Sequence, residues 1–186
     1  MSRIDLLLTQ LSSEREGFLT ALEAVDLELV TVPGVVEDWS VRDLIVHVAF
    51  WAEHASEALG LAASGRGEAF AYDTAQTDAM NARLLESSRK TTPEAAVERE
   101  AAAFEALSAA VAELDPELLD LRLGNGDTVA EVIAYDGPDH YREHTDHLRA
   151  WFGDGEAEDD DAEDDGDAGD AADAGDAADA AEAHRR

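Results

Sequence analysis

Cysteine is absent from the 186 residues, and lysine occurs once, at Lys90. Without cysteine there can be no disulfide framework, no thiolate nucleophile and no thiolate metal site. No apolar run approaches the ~18 residues that a membrane-spanning helix requires. The start, "MSRIDLLLTQLSSEREGF", lacks the order of charge, apolar core and small-residue cleavage site of a signal peptide. A cytoplasmic location is therefore expected. Positive charge is scarce: 13 Lys and Arg stand against 44 Asp and Glu, for a net charge of -31. Such a field repels phosphates and anionic headgroups, so neither nucleic acid nor a membrane is expected as a partner. No glycine-rich phosphate loop is expected: "GNGD" follows no buried strand and lacks the lysine of such a loop.

The acid is unevenly spread. Of the 44 acids, 15 lie from Gly153 onward together with two arginines, which leaves about -18 on residues 1–152. That last stretch, rich in Asp, Ala and Gly, has no large apolar residue and cannot build a core. Residues 153–186 are expected to be a disordered, solvating acidic tail, with residues 1–152 as the folded domain. An acidic, lysine-poor surface also suits a salty cytoplasm, where screening relieves self-repulsion; high-GC codon usage produces the same bias.

What remains reads as helix. Ile4, Leu7, Leu8, Leu11, Phe18, Leu19 and Leu22 form a stripe at helical spacing. Ser40, with Asp43 three residues on, looks like the cap of a second helix from Val41 to about Ala63. A polar crossing holds a helical piece over 74–88. Thr92 caps a helix that opens with Pro93 and runs to about Leu114. "LDPELLDLRLGNGD" reads as a linker with a short hairpin or extended pieces. Thr128 starts the last helix, which Pro138 must kink or restart. Period-two alternation is missing, so sheet content should be near zero. An all-α four-helix bundle is predicted.

Three of the six histidines fall within "DHYREHTDHLRAWF". At about 100° per residue, His140, His144, His147 and Trp151 share a strip roughly 60° wide. The second helix repeats the pattern with Leu44, His47, Trp51 and His54. His140 and His144, four apart, sit about 6 Å from each other and can reach one ion at Zn–N distances of about 2.0–2.1 Å. Such a pair alone is weak evidence, since surface or core histidines often show it. A third inward histidine, with His47 the best candidate, turns the balance towards a divalent metal with open positions. His54 and His147 are expected to line the pocket or hydrogen-bond locally, with Trp51 and Trp151 beside them. His184 lies in the tail.

"DWSVRDLIVHVAFW" and "HYREHTDHL" resemble the second-helix and last-helix motifs of the DinB/YfiT-like superfamily. The resemblance covers residues 3–152 and implies an up-down-down-up bundle with His47, His140 and His144 as ligands of Zn, Ni or another divalent ion. His147 stands where many members carry glutamine, and Pro138 just before the ligand pair is unusual. "WS", an asparagine in the crossing and the late "HY" resemble the ClbS/DfsB branch, whose members hydrolyse a reactive ring. Similar proteins include thiol S-transferases and mycothiol-dependent maleylpyruvate isomerase. An up-down-down-up order would make the second and last helices antiparallel, placing His147 nearer Trp39 or Leu44 than His54.

Asp73, Asp78 and Asn81 lie in the crossing segment, where they either sit above the pocket or, as preferred, form a solvated connector with caps. Glu53 should face solvent, away from the ligand face, and Tyr141 should pack. The leading expectation is a metal-dependent transferase or hydrolase for a small molecule, with a low-molecular-weight thiol as candidate cosubstrate and catalytic residues unassigned. Against it stand a non-catalytic resistance protein that sequesters a reactive metabolite and a stress-response scaffold. A homodimer is compatible with any of these.

Overall fold

A computed structural model describes residues 1–153. The expected acidic tail, with His184, lies outside the described residues apart from Gly153. The fold is all-helical: α1 Arg3–Glu23, α2 Val41–Ala63, α3 Thr74–Ser88, α4 Pro93–Glu113, α5 Val129–Asp136 and α6 Pro138–Phe152. Strand pairing among the described residues is limited to two isolated bridges, Val36–Trp39 and Arg122–Thr128. The second bridge is all that the expected hairpin amounts to, and Pro116–Asp120 beside it is a 3-10 turn. Among the described residues no helix is long and apolar enough to cross a membrane.

Local chemistry explains where these helices begin. Ser2, Ser40, Asp73 and Thr128 each cap a helix and are answered by the side chain three residues on, a reciprocal box that satisfies two otherwise orphaned amides. Thr92 caps α4 and Pro93 occupies its first turn, where a missing N–H costs nothing. Asp43 does more than cap. Its carboxylate also accepts from Ser88 Oγ at 2.6 Å and from Arg42 Nη2 at 2.9 Å, joining the start of α2 to the end of α3.

The α1 stripe buries Leu11 and Phe18 fully, Ile4 nearly so, and Leu7, Leu8 and Leu22 in part. Its partners are α6 and α4. By contrast α2 is buried on nearly every side, packing against α3, α4 and α5. A helix with apolar residues all round belongs in the middle of a fold. Buried on α4, Glu100 accepts hydrogen bonds from Arg15 of α1 and Tyr141 of α6. Tyr141 therefore packs, as its position off the ligand face implies. Glu53 takes a surface ion pair with Arg99 at 2.7 Å.

Gly137 separates α5 from α6. A Cβ there would stand 2.5 Å from the Ile133 carbonyl and 3.2 Å from Leu11 Cδ1, so no side chain fits. Pro138 follows, without an N–H to continue the ladder. The chain restarts as a helix whose third residue is His140. At Gly34, φ is +125° and the backbone lies against the indole of Trp151, 3.6 Å from where a Cβ would be.

Candidate metal centre

His47 comes from the second turn of α2, His140 from the first turn of α6, and His144 from the next turn. The His47 ring meets the other two edge to face, and the His140 and His144 rings are tilted by 46° to each other. Centroid separations are 4.7 Å for His47–His140, 5.0 Å for His47–His144 and 4.7 Å for His140–His144. One nitrogen from each lies within 4.8 Å of the others, and all three residues are buried. His47 Nδ1, His140 Nδ1 and His144 Nε2 are buried with no hydrogen-bond partner among the described residues. Leaving a buried polar atom unsatisfied costs about 1–3 kcal/mol, so one on each of three adjacent rings needs a reason.

A divalent ion supplies one. Nitrogens sharing an ion stand at most about 4 Å apart, twice a 2.0–2.1 Å bond. A spread of 4.8 Å needs only a small closure. The donors are also in the right protonation state. Burial pushes His47, His140 and His144 well below the ordinary histidine pKa, and neighbouring imidazoles push the same way. Neutral imidazole is the form that ligates. Nitrogen donors suit Zn or Ni and not the oxygen-seeking Mg or Ca. These residues could hold such an ion.

The surrounding residues divide into two groups. Trp39 lies against His47 at 5.0 Å between ring centroids. Trp51 stands 6.2 Å from His47 and 6.4 Å from His140, and its indole N–H donates to Asn81 Oδ1 at 3.2 Å. Asn81 is thus more than a solvated connector: α3 holds the indole in place. Asp73, in contrast, is the cap it was expected to be. Beyond Trp51 comes His54, whose ring is enclosed by Phe50, Trp51, Phe70 and Tyr72. Its Nδ1 lies 2.8 Å from Asp136 Oδ2. His147 bonds locally, Nδ1 to Nδ1 with His144 at 3.2 Å. Trp151 lies farther along, against Gly34 and Phe152. From Asp136 to Trp151 the contacts therefore climb α5 and α6 while descending from His54 towards Gly34 before α2.

Sequence reasoning did not single out Asp136, and it named Trp39 only as a neighbour of His147. Asp136 had a readable signal: Val129, Val132, Ile133 and Asp136 share one apolar face at helical spacing, and an acid there needs a partner. Burial lifts its pKa to about 6, against the lowering effect of the His54 hydrogen bond. Because the folded value lies above the unfolded one, the folded state binds the extra proton between about pH 4 and pH 6. This contribution to stability is full below that window and is lost as pH rises through it. Asp136→Asn should abolish the loss. Urea midpoints of metal-free protein at pH 4.5 and 7.5 would show the variant gaining on wild type at the higher pH; parallel changes in both would refute the assignment.

A helical protein whose inner helices converge on a buried three-histidine centre is the class that fold and site define. The mycothiol maleylpyruvate isomerase N-terminal domain family matches residues 11–149, and this chain belongs to that family, a DinB-like type of domain. Comparison with curated proteins and with solved structures returns no match.

Proposed function

We propose that this protein is a divalent-metal-dependent enzyme acting on a small molecule, most simply a transferase or hydrolase that uses a low-molecular-weight thiol or water. The observation that carries the reading is the convergence of three neutral imidazoles from two separate helices, each with a buried nitrogen that lacks a partner among the described residues. Family membership adds the thiol: the family is named for a mycothiol-dependent activity. The same reading takes the long helices as an up-down-down-up four-helix bundle. It is supported by the packing of α1 on α6 and of α2 on α4 and by the opposite contact order along α2 and α6.

His47, His140 and His144 would hold the ion. A divalent ion held by neutral ligands keeps its full charge and lowers the pKa of a thiol or water that it binds. The chain's own residues do the rest. Trp51, fixed by Asn81, walls one side of the centre with an apolar face and limits water. On its far side Asp136 holds His54 by Nδ1, which leaves Nε2 as a buried acceptor without a partner among the described residues. Trp39 closes on His47 from the chain segment before α2.

The test is elemental analysis of purified full-length protein, followed by a screen for transfer of small thiols to electrophilic acceptors. One equivalent of Zn or Ni is expected, with thiol consumption that a chelator stops. Metal without turnover of any thiol or electrophile would favour sequestration of a reactive metabolite over catalysis.

A further inference from the structure

His147 lies outside the three-residue centre, yet it touches a member of it. Its Nδ1 stands 3.2 Å from His144 Nδ1, one turn back on α6, with ring centroids 5.3 Å apart. Two imidazole nitrogens at this distance share one proton, and two arrangements exist. If His147 donates, His144 carries its own proton on Nε2. That N–H is then a buried donor with no partner among the described residues, and its nitrogen has no lone pair to offer. If His144 donates, its Nδ1–H is satisfied and Nε2 presents a free lone pair beside His47 and His140. Either arrangement leaves Nε2 without a protein partner, but a stranded N–H repels a cation, whereas a stranded lone pair is the group that an ion between the three rings satisfies. His147 is only half-buried, so water can satisfy its remaining nitrogen.

We propose that His147 is a positioning residue: by accepting the Nδ1 proton of His144 it fixes the tautomer and ring orientation that aim His144 Nε2 at the centre. The inference rests on the metal reading for the direction of the proton, while the contact between the two rings stands without it. An acceptor behind a ligating histidine also raises that ligand's basicity, and its loss typically weakens metal affinity 10–100-fold. His147 therefore acts through His144 and not as a fourth ligand.

The experiment pairs two readouts on the full chain stripped of metal. Long-range nitrogen–proton NMR of labelled imidazoles reports which nitrogen of His144 carries the proton. Titration of Zn alone reports affinity. In wild type, His144 should be the Nδ1–H tautomer. His147→Leu should lose that preference and bind Zn about 10–100-fold more weakly. His147→Gln, whose side-chain oxygen can accept the same proton, should recover most of both. An Nε2–H tautomer in wild type would overturn the proposal. So would a His147→Leu protein with unchanged tautomer and affinity. Should wild type take up no Zn, the metal reading falls, and the tautomers of wild type and His147→Leu still decide the role of His147.

Discussion

Replacing Arg15 with alanine should cost about 3–5 kcal/mol of folding stability, the usual penalty for stranding a buried charge. Glu100 is 1% exposed and accepts from Arg15 at both oxygens, at 2.8 and 2.9 Å. Tyr141 Oη donates to it at 2.6 Å, and the guanidinium also lies 4.2 Å over the Phe104 ring. Three helices meet on this one carboxylate. Burial and the adjacent Glu100 charge raise the Tyr141 pKa, so the phenol stays protonated and remains a donor. Without Arg15, the carboxylate keeps one neutral partner in a site closed to water. For a chain of this size each kcal/mol moves the melting temperature by roughly 2–4 °C, so the loss should reach about 6–20 °C. Removing both charges together, as Arg15→Met with Glu100→Met, should cost far less than the two single changes combined, because neither leaves the other unpaired. Urea unfolding of wild type, Arg15→Met, Glu100→Met and the double variant closes the cycle. An Arg15→Ala protein within about 1 kcal/mol of wild type would show that water reaches Glu100 and that the network is not a closed one.

Metal binding should produce the other large effect. A ligand that binds only the folded chain stabilises it by about 4 kcal/mol when present at 1,000 times its dissociation constant. Zn or Ni should accordingly raise the melting temperature of metal-free protein by roughly 8–16 °C. His47→Ala, His140→Ala and His144→Ala should each remove most of that rise, since two imidazoles cannot hold the ion alone. The readout is the metal-induced shift within each protein, so any cavity left by the substitution cancels. Equal shifts in wild type and His47→Ala would mean that the ion sits elsewhere, the acidic C-terminal segment being the obvious competitor. A variant ending at Gly153 tells these apart, because it should keep the full shift.

The acidic composition bears on both measurements. With a net charge of -31, much of the chain repels itself at neutral pH. Comparisons between variants should therefore be made at one ionic strength, where the shared repulsion drops out.

Much of the architecture could be read from the residues in order. Three helix starts were announced by side chains at their caps: Ser40 with Asp43, Thr92 with Pro93, and Thr128. The break at Gly137 was announced by Pro138. The pairing of His140 with His144 was equally visible, because a helix puts residues four apart on one face whatever surrounds it. These are local facts, set by backbone geometry within one or two turns.

Other features need partners that the order of residues does not supply. Glu100 lies in a row with Ala96, Ala103, Leu107 and Val111, where an acid looks out of place until Arg15 and Tyr141 arrive from other helices. Asp136 is out of place in the same way until α2 brings His54. Asn81 seemed a solvent-facing connector, and only the lie of α3 over α2 gives it the Trp51 indole. By itself, then, the sequence determined the helices, their caps and which histidines share a face. Only the tertiary structure decided that His47 meets the other two and that His147 stands behind His144, because the approach of one helix to another depends on how whole faces pack and on no single spacing along the chain.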